Sequence, residues 1–256
     1  MKGSVFKAYS RYYNLLYSDK DYESESKYIS HLLKRNGVTQ GNILEFGSGT
    51  GKHGRLLSKL GFKVHGIEQS EEMFKLAEQD DGFTCEIGDV CNIKLNKQFD
   101  CILSLFHVAS YQIENSRVQA FFDRAAEHLL LGGLFVFDAW YSPAVYNKLP
   151  TVRIKRMEDK NFDITRIAEP TLHPSQNKVD VHYNIFVRNK ENNMVETIKE
   201  THSIRHFTLP ELDFFAQISG FKRIETEEFL TGKPHNEETW GVCHVFKKVG
   251  GGGSYC

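Results

Sequence analysis

Residues 42–51, Asn-Ile-Leu-Glu-Phe-Gly-Ser-Gly-Thr-Gly, decide the fold of this chain. Their first half is a short apolar run typical of a buried strand, and Gly47, Gly49 and Gly51 follow at alternate positions. Glycine allows the backbone to turn sharply and to come close to a ligand. A helical pattern over residues 52–60 comes next, so the order is strand, glycine loop and helix. This order opens a doubly wound α/β domain with a ligand site above the loop.

The same alternation of strands and helices continues toward the C-terminus. Helices are predicted to begin at Ser70 and to span residues 117–131, and further strands are predicted at residues 62–67, 83–87, 99–106 and 134–138. Strands that alternate with helices form a parallel sheet covered on both faces, and nearly unbroken apolar strands fit such burial. The sequence therefore predicts an α/β fold with a Rossmann-like, doubly wound and mostly parallel sheet.

The pattern changes after Pro150. Polar and apolar residues alternate in four segments separated by turn-rich breaks, at residues 152–158, 162–168, 178–188 and 196–207. Such alternation predicts an antiparallel meander with one face in water. A helix at residues 209–219 and a closing pair of strands at 221–229 and 240–248 then complete the core.

Four regions are therefore expected along the chain. Residues 1–36 form a tyrosine-rich helical cover, and residues 37–150 and 208–249 form the Rossmann-like core. Residues 151–207 form an antiparallel insertion after strand five that covers the acceptor side of the ligand crevice. Residues 250–256, Gly-Gly-Gly-Gly-Ser-Tyr-Cys, have the composition of a flexible linker or tag remnant.

The composition limits the partners and the location that we expect. With 32 basic and 33 acidic residues and no long basic run, the chain lacks the charge pattern of a nucleic-acid binder. No segment approaches the roughly 20 apolar residues that span a bilayer, and the N-terminus lacks an apolar signal core. The five cysteines form no Cys-x-x-Cys pair. We therefore expect a cytoplasmic protein with no metal site that acts on a small molecule, as a monomer or a homodimer.

Acidic and aromatic residues follow the predicted strands at the edge where a doubly wound sheet binds its ligand. Glu68 ends the second strand, about 20 residues past the loop, where a carboxylate can bind both hydroxyls of a ribose. Asp89 ends the third strand, within reach of an adenine amino group, and Phe106 and His107 end the fourth. These positions predict a nucleoside ligand.

A dinucleotide-binding oxidoreductase of the Rossmann type, using NAD, is the alternative from another enzyme class. Residues 49–54, Gly-Thr-Gly-Lys-His-Gly, satisfy the Gly-x-Gly-x-x-Gly pattern, which alone is a weak signal. The glycine run begins at Gly47, directly after the strand, and Glu45 brings a carboxylate to the loop. That charge would repel a pyrophosphate, which needs a helix N-terminus, but it suits a ligand with an ammonium and a sulfonium group.

The segments ILEFGSGTGKHGRLL, GIEQSEEM, GDV and FDCILSLFHVASY resemble the motifs of class I S-adenosylmethionine-dependent methyltransferases in order and spacing, within residues 42–140. The resemblance implies that S-adenosylmethionine is the cofactor. It assigns the methionine part to Glu45 and the glycine loop, the ribose to Glu68, and the adenine to the residues after strand three. The residues expected to bind the cofactor are Tyr13, Tyr22, Glu45, Gly47, Ser48, Gly49, Gly51, Glu68, Gln69, Met73, Asp89, Val90 and Phe106.

A narrower resemblance rests on the segments YYNLLYSDKDY, AWYSP, VHYNIFVRN and ETHSIRHFT, which are similar to nucleotide-linked deoxyamino-sugar N-methyltransferases. Those enzymes carry an antiparallel insertion after strand five and a Gly-Arg-Gly-like segment that meets the nucleotide phosphates. Residues 238–241, Glu-Thr-Trp-Gly, lack that arginine. The candidates to replace it are Arg153, Lys155, Arg156 and Arg205. The resemblance implies N-methylation of a nucleotide-linked amino sugar, with small-molecule O-methylation and glycine-type amine N-methylation as alternatives.

The chemistry of the acceptor determines which residues the reaction needs. An amine must only be unprotonated, whereas a hydroxyl must lose a proton to a base. His107 and Tyr111 follow strand four and are the candidate catalytic residues. The candidate substrate-binding residues are Tyr17, Trp140, Tyr141, His182, Tyr183, Arg205 and His206, with His202 as a further candidate.

Strand alternation separates some of these candidates from one another. His182 and Tyr183 are neighbours in one predicted strand, so they point to opposite faces and at most one of them faces the crevice. His202 and His206 are expected on one face of the last insertion strand, with Ile204 between them on the opposite face.

Overall fold

The computed structural model describes residues 19–250 of the 256-residue chain, so the expectations for Tyr13, Tyr17 and the tail after residue 250 lie outside the described residues. The helices are α1 (Tyr22–Arg35), α2 (Lys52–Lys59), α3 (Glu71–Lys75), α4 (Asn115–His128), α5 (Ser142–Asn147) and α6 (Leu209–Ile218). The strands are β1 (Gly41–Phe46), β2 (Phe62–Glu68), β3 (Phe83–Ile87), β4 (Phe99–Ser104), β5 (Leu129–Tyr141), β6 (Arg153–Glu158), β7 (Phe162–His173), β8 (Lys178–Asn189), β9 (Val195–Phe207), β10 (Phe221–Glu228) and β11 (Gly241–Lys248). Within this part of the chain, no helix is long and apolar enough to cross a membrane.

A parallel sheet in the order β3-β2-β1-β4-β5 forms the core. β11 continues it antiparallel to β5, and β10 pairs antiparallel with β11. Helices cover both faces of this sheet. Phe46 and Phe135 pack in the cluster beneath α4 and α6, whereas Ile43 and Val136 pack in the cluster beneath α1 and α2. Alternate residues of one strand therefore enter different cores. The predicted Rossmann-like α/β fold is confirmed.

The strand β5 begins earlier than the sequence predicts. The apolar pattern put residues 129–131 in a helix, but α4 ends at His128, and Leu129 is already extended (φ −96°, ψ 142°). The imidazole of His128 holds this end of the helix in place. Its Nδ1 lies 2.7 Å from the carbonyl oxygen of Arg124, and its Nε2 lies 2.8 Å from the backbone nitrogen of Leu95. The helix therefore ends where the His128 side chain hydrogen-bonds to a neighbouring loop. The helical pattern alone did not indicate this end.

The expected antiparallel strands follow β5 and extend further than predicted. β6, β7, β8 and β9 pair in this order, each antiparallel to the next. The turn predicted from Pro170 to Asn177 is wrong in its first half, because β7 continues to His173. Pairing with β6 ends at Ala168. Pro170 therefore lies where β7 has become an edge strand, a position that tolerates a residue without an N–H group.

The strand β5 joins the two sheets. It pairs with β4 as far as Phe137, and beyond that point Trp140 and Tyr141 pair in parallel with His206 and Phe207 at the end of β9. The antiparallel sheet is therefore continuous with the carboxyl edge of the core. This is the edge at which a doubly wound sheet binds its ligand.

One face of the antiparallel sheet packs on the core, and we call it the inner face. Ile164, Ile185 and Ile198 on this face form an apolar cluster with Met73, and Phe106 packs against the cluster. Met73 lies on the helix after β2, and Phe106 follows β4. The insertion therefore lies over the ends of the core strands.

The packing of the inner face shows which insertion residues point toward the core. Tyr183 packs in its clusters, whereas its neighbour His182 points to the opposite, outer face. The prediction that Ile204 opposes His202 and His206 is wrong. Ile204 packs with the inner-face residue Val179, because residues two positions apart in a strand point to the same face.

Candidate cofactor and acceptor site

The glycine loop between β1 and α2 contains three positive φ angles, at Gly47 (72°), Gly49 (57°) and Gly51 (75°). Residues with a Cβ rarely adopt such angles. A Cβ on Gly47 would lie 2.5 Å from Val108, and one on Gly51 would lie 2.3 Å from Phe83. The fold itself requires these two glycines, because protein atoms fill the space beside them.

Gly49 differs from its two neighbours in the loop. Among the described residues, a Cβ on Gly49 would meet only the terminal methyl carbon of Met73, at 3.6 Å. Its N–H donates a hydrogen bond to Glu68 Oε2 at 2.7 Å. Gly49 is therefore the loop position at which a ligand can approach the backbone most closely.

Glu45 lies near the end of β1 and is almost fully buried, with 2 % of its surface exposed. Burial, followed by the nearby charge of Glu68, raises the pKa of Glu45 to about 8. Its Oε2 accepts no hydrogen bond from residues 19–250. A buried carboxylate oxygen without a hydrogen bond is costly, and an ammonium group would supply a positive charge and a donor to it. The residue therefore fits the methionine end of S-adenosylmethionine.

A chain of ionisable side chains connects α1 to Glu45. His53 lies 3.9 Å from Glu45 Oε1 through its Nδ1 and 2.7 Å from Glu25 Oε2 through its Nε2. Lys20 Nζ lies 2.6 Å from the same Glu25 oxygen. Burial alone would raise the pKa of Glu25, but the hydrogen bonds of His53 and Lys20 bring it below its usual value. Sequence reasoning missed this chain because Glu25 and His53 are 28 positions apart and share no local pattern.

Glu68 ends β2 and turns toward the glycine loop. Its Oε2 accepts the N–H of Gly49 at 2.7 Å, and its Oε1 accepts the N–H of Ser70 at 2.8 Å. Burial raises the pKa of the carboxyl group. A carboxylate offers about four acceptor positions, so about two remain for the hydroxyls of a ribose. The geometry is compatible with the predicted ribose contact.

Asp89 is bound in a way that the sequence did not indicate. Arg117 donates to both of its carboxylate oxygens, at 2.8 and 3.0 Å. The N–H of Cys91 and the side-chain amide of Asn92 donate to the same oxygens, at 3.0 and 3.1 Å. These four donors fill the roughly four acceptor positions of a carboxylate. Asp89 therefore fixes the turn after β3, and its contact with an adenine amino group stays a prediction.

Two aromatic candidates lie beside the glycine loop. The ring of Tyr22 is 5.0 Å from the ring of His53 and 4.8 Å from Lys52 Nζ, at the start of α2. The ring of Phe106 lies 4.1 Å from Lys20 Nζ. The beginning of α1 therefore covers the cofactor end of the crevice, and the contacts of Tyr22 and Phe106 with the cofactor stay predictions.

The remaining cofactor candidates face the protein interior or the solvent. The Ser48 hydroxyl lies 3.2 Å from the thiol of Cys85, so the Ser48 side chain points away from the crevice. Met73 and Val90 are buried in two different apolar clusters, and Gln69 is exposed. The predicted contacts of Met73, Val90 and Gln69 with the cofactor stay predictions.

His107 follows β4 in a left-handed backbone conformation (φ 63°), as does Phe106 (φ 64°). Its backbone N–H lies 3.2 Å from both oxygens of Asp138, and its Nδ1 lies 2.6 Å from Oδ2. Burial opposes ionisation of Asp138, but the charge of His107 lowers its pKa below the usual value. Asp138, which the sequence showed only as a strand end, therefore holds a strained turn, with Trp140 6.2 Å from the His107 ring.

Tyr111 connects the core to the inner face of the insertion. Its hydroxyl lies 2.9 Å from His202 Nδ1, and His202 Nε2 lies 3.2 Å from Glu200 Oε2. The ring of Tyr183 packs edge-on against His202, with 4.9 Å between ring centroids. These contacts bring together side chains that are about 90 positions apart in the sequence. They form a polar and aromatic surface beside His107.

Two predicted substrate contacts lie away from this surface, which corrects the sequence-based assignment. Tyr141 points to the other side of β5 from Trp140, and its ring lies 5.2 Å from that of His235. His182 lies on the outer face, 3.3 Å from the Thr171 hydroxyl and 3.0 Å from the Thr201 hydroxyl. Strand alternation is the reason in both cases, because each residue is adjacent to one that faces the crevice.

Arg205 and His206 have structural partners rather than crevice positions. Arg205 donates to the side chain of Asn115 at 2.7 Å and pairs with Glu211, which ties β9 to α4 and α6. His206 is fully buried, and its Nδ1 lies 2.8 Å from the Ser142 hydroxyl. Burial, followed by the charge of Arg205, lowers the pKa of His206 to about 4. Both residues join the antiparallel sheet to the core.

Comparisons with known proteins agree with this geometry. Residues 43–133 match the family model described as a methyltransferase domain. The chain is 24 % identical over 216 residues to a dTDP-3-amino-3,6-dideoxy-alpha-D-glucopyranose N,N-dimethyltransferase from Streptomyces fradiae, covering 84 % of this chain and 82 % of that protein. A solved S-adenosylmethionine-dependent methyltransferase from Clostridium acetobutylicum matches with a TM-score of 0.78 at 19 % identity, covering 95 % of this chain and 98 % of that one. The sugar N-methyltransferase KedS8 from Streptoalloteichus matches with a TM-score of 0.80 at 16 % identity, covering 96 % and 95 %.

The fold, the glycine loop, the acids after β1 and β2 and these matches define a class I S-adenosylmethionine-dependent methyltransferase. The predicted enzyme class is confirmed, and the oxidoreductase alternative is set aside. Within that class, the chain is similar to deoxyamino-sugar N-methyltransferases, as its N-terminal, Ala-Trp-Tyr-Ser-Pro and insertion segments predict.

Proposed function

We propose that this enzyme methylates the amine of a nucleotide-linked amino sugar. The observation that carries the proposal is the surface formed by Tyr111, Trp140, Tyr183 and His202, which we call the acceptor wall. Aromatic faces pack against sugar rings, and hydroxyl and imidazole groups hydrogen-bond to sugar hydroxyls. The relative from Streptomyces fradiae is named for a dTDP-linked amino sugar, which supports the same substrate class here.

Four features of the crevice would hold the cofactor. Glu45 would pair with the ammonium group, the backbone at Gly49 would lie along the methionine part, and Glu68 would accept the ribose hydroxyls. Tyr22 would cover this end from α1. Bound S-adenosylmethionine supplies an electrophilic methyl group, and the protein supplies position and electrostatics.

At the acceptor end, the residues would orient the amine and take up its proton. A protonated amine has no lone pair for attack, so the proton must leave first. The Tyr111 hydroxyl would accept a hydrogen bond from the amine and pass the proton on to His202, which Glu200 orients. His107, in the turn held by Asp138, would bind a sugar hydroxyl. N-methylation needs no further base.

Methyl transfer by the purified protein tests the proposal. An amino-deoxysugar nucleotide, simple amines and hydroxyl acceptors are compared in parallel, with S-adenosylmethionine as donor. We expect turnover with the amino-sugar nucleotide and none with the hydroxyl acceptors. Turnover confined to hydroxyl acceptors would contradict the proposal and would make Tyr111 or His107 the residues to examine as a base.

We further infer a cytoplasmic location. The four described cysteines, Cys85, Cys91, Cys101 and Cys243, are free thiols, which fits a reducing compartment. Burial raises the pKa of Cys85 to about 11, so this thiol stays unreactive. The homodimer named as one alternative stays a prediction, and gel filtration with light scattering measures it.

A further inference from the structure

Two cations lie on the inner face of the insertion, next to the acceptor wall. Lys155 on β6 and Arg166 on β7 are directly opposite each other in the strand register, so their side chains share a face. Two positions along the same strands, the next pair on this face, Met157 and Ile164, packs in the apolar cluster that contains Met73. The two cations therefore point to the same side of the sheet as the crevice.

Arg166 extends the acceptor wall. Its guanidinium lies 5.3 Å from the ring centroid of Tyr183, and Tyr183 packs against His202, the partner of Tyr111. A guanidinium over an aromatic ring is a favourable arrangement. A substrate bound along the wall would therefore reach Arg166 with the part of the molecule that lies beyond the sugar.

The other candidate cations do not have this position. Arg156 lies next to Lys155 in β6 and therefore points to the outer face, where it is exposed. Arg205 is held by Asn115 and Glu211. Arg153 is exposed at the first residue of β6. Lys155, one of the four candidates, and Arg166, which the strand register places opposite it, are the cations next to the acceptor wall.

A carboxylate already pairs with Lys155, the first of these two cations. The Oδ1 of Asp19 is 2.6 Å from Lys155 Nζ, and the Asp19 side chain is 67 % exposed. The hydrogen bond from Lys155 is the main cause that lowers the pKa of Asp19, and the charge of Arg166 adds to it. An exposed ion pair of this kind contributes little to stability. Another anion can therefore take the place of the carboxylate at small cost.

We propose that Lys155 and Arg166 bind the diphosphate of the nucleotide-linked substrate and exchange the Asp19 carboxylate for it. This inference rests on the proposed function. A guanidinium binds phosphate oxygens in pairs, and an ammonium binds them as a point charge. The two cations would replace the arginine that residues 238–241 lack. The diphosphate would then anchor the nucleotide on the insertion while the amino sugar lies along the acceptor wall.

Calorimetric titration of the full chain with thymidine diphosphate, thymidine and inorganic pyrophosphate tests the site. We expect Arg166→Gln and Lys155→Gln each to weaken thymidine diphosphate binding by about tenfold or more, as loss of one charged hydrogen bond implies. Thymidine binding should not change. Asp19→Asn should strengthen thymidine diphosphate binding several-fold, because it removes the competing carboxylate. Arg156→Gln, on the outer face of the same strand, is the matched control and should bind like the parent.

Several outcomes would overturn the site. These are unchanged thymidine diphosphate binding in both glutamine variants, an equal loss of thymidine binding, or an Asp19→Asn variant that binds thymidine diphosphate more weakly. If Arg166→Gln fails to fold, Lys155→Gln and Arg166→Lys test the same site. Arg166→Lys keeps the charge, so it should lose less thymidine diphosphate affinity than Lys155→Gln. Binding of thymidine diphosphate that depends on Lys155 and Arg166, together with turnover of hydroxyl acceptors alone, would support the site and contradict the proposed function. Turnover of the amino-sugar nucleotide that is unchanged in both glutamine variants would support the proposed function and contradict the site.

Discussion

The two ends of the crevice are built in different ways. At the cofactor end, Glu45, the glycine loop and Glu68 lie at the ends of adjacent parallel strands and are held by buried contacts. At the acceptor end, Tyr111 and Trp140 come from the core, and Tyr183 and His202 come from strands of the insertion. Parallel strands bring their carboxyl ends together whatever else the chain does. The acceptor end exists only because one face of a second sheet packs over that edge.

This difference has a consequence for substitutions. The loop residues that the core requires have no room for additional atoms, since Val108 and Phe83 fill the space beside Gly47 and Gly51. The acceptor wall is joined by single hydrogen bonds and ring contacts between two sheets. We therefore expect large losses of stability at the cofactor end and smaller, substrate-specific effects at the acceptor end.

The largest effect is expected for Gly51→Ala, which puts a Cβ 2.3 Å from Phe83 at a φ of 75°. Left-handed strain of about 1–2 kcal/mol adds to an overpacking cost of about 1–3 kcal/mol. Urea unfolding should therefore show a loss of about 2–5 kcal/mol in the free energy of unfolding. The control is Gly61→Ala, at a φ of 101° with no described atom within 4 Å of its Cβ. Equal losses in the two variants would show that the Phe83 contact has no effect.

Glu68→Ala should weaken the binding of S-adenosylhomocysteine by a few kcal/mol. Two charge-assisted hydrogen bonds to a ribose contribute roughly 1.5–3 kcal/mol each. Part of the loss comes from the loop, because the N–H of Gly49 loses its acceptor. Calorimetry measures the dissociation constant, with Glu71→Ala on the exposed side of α3 as the control. An unchanged constant would exclude Glu68 as the ribose ligand.

Glu45→Gln should stabilise the protein without cofactor in a pH-dependent way, and it should weaken cofactor binding. The folded protein raises the pKa of Glu45 from 4.5 to about 8, so it binds this proton more tightly than the unfolded chain does. The free energy of unfolding of the parent therefore falls as pH rises from 4.5 to about 8, and the decrease is complete above about pH 8. The glutamine variant avoids this cost, which is on the order of a few kcal/mol for a buried carboxylate.

Chemical unfolding of the protein without cofactor at a series of pH values measures the effect. The advantage of Glu45→Gln over the parent should be absent near pH 4.5 and should grow toward about pH 8. The same variant should bind S-adenosylhomocysteine more weakly, because it lacks the charge that pairs with the ammonium group. Glu23→Gln, on the exposed side of α1, is the control. An advantage that does not change with pH would show that Glu45 does not titrate in this range.

Tyr111→Phe and His202→Gln should act together rather than independently. Their shared hydrogen bond of 2.9 Å implies a coupling of about 0.5–1.5 kcal/mol in kcat/KM for the acceptor. Steady-state kinetics of the two single variants and the double variant give this coupling. The KM for S-adenosylmethionine should stay the same, because neither residue lies at the glycine loop. Additive effects would mean that the hydrogen bond has no role in turnover.

The smallest effect is expected at His182, on the outer face of β8. His182→Ala removes contacts to two exposed threonine hydroxyls, so kcat/KM and stability should stay within about 0.5 kcal/mol of the parent. Tyr183→Ala, at the next position, removes a ring that packs against His202 and Arg166 and should lower kcat/KM clearly. A larger effect at His182 than at Tyr183 would reverse the assignment of the two faces.

Local patterns in the sequence predicted most of the fold. The periods of apolar residues indicated the strands, the helices and the antiparallel insertion. They did not predict the end of α4 at His128 or the continuation of β7 past Pro170, because a partner from another segment decides each boundary. The cofactor end was largely predictable as well, because its residues occupy ordered positions after successive strands. Glu45 and Glu68 have geometries that fit their predicted roles, whereas Asp89 is bound by Arg117 and its role stays a prediction.

By itself, the sequence determined the element order, the enzyme class and the residues that follow β1 and β2, because these depend on near neighbours in the chain. Only the tertiary structure decided that Arg117, 28 positions away, binds both carboxylate oxygens of Asp89. It also decided that Tyr183 rather than His182 faces the crevice, and that Lys155 lies opposite Arg166 and pairs with Asp19. A strand carries side chains on both faces, and its sequence alone leaves open which face the core will cover. That choice depends on how distant segments pack together, and the acceptor end of this enzyme depends on it.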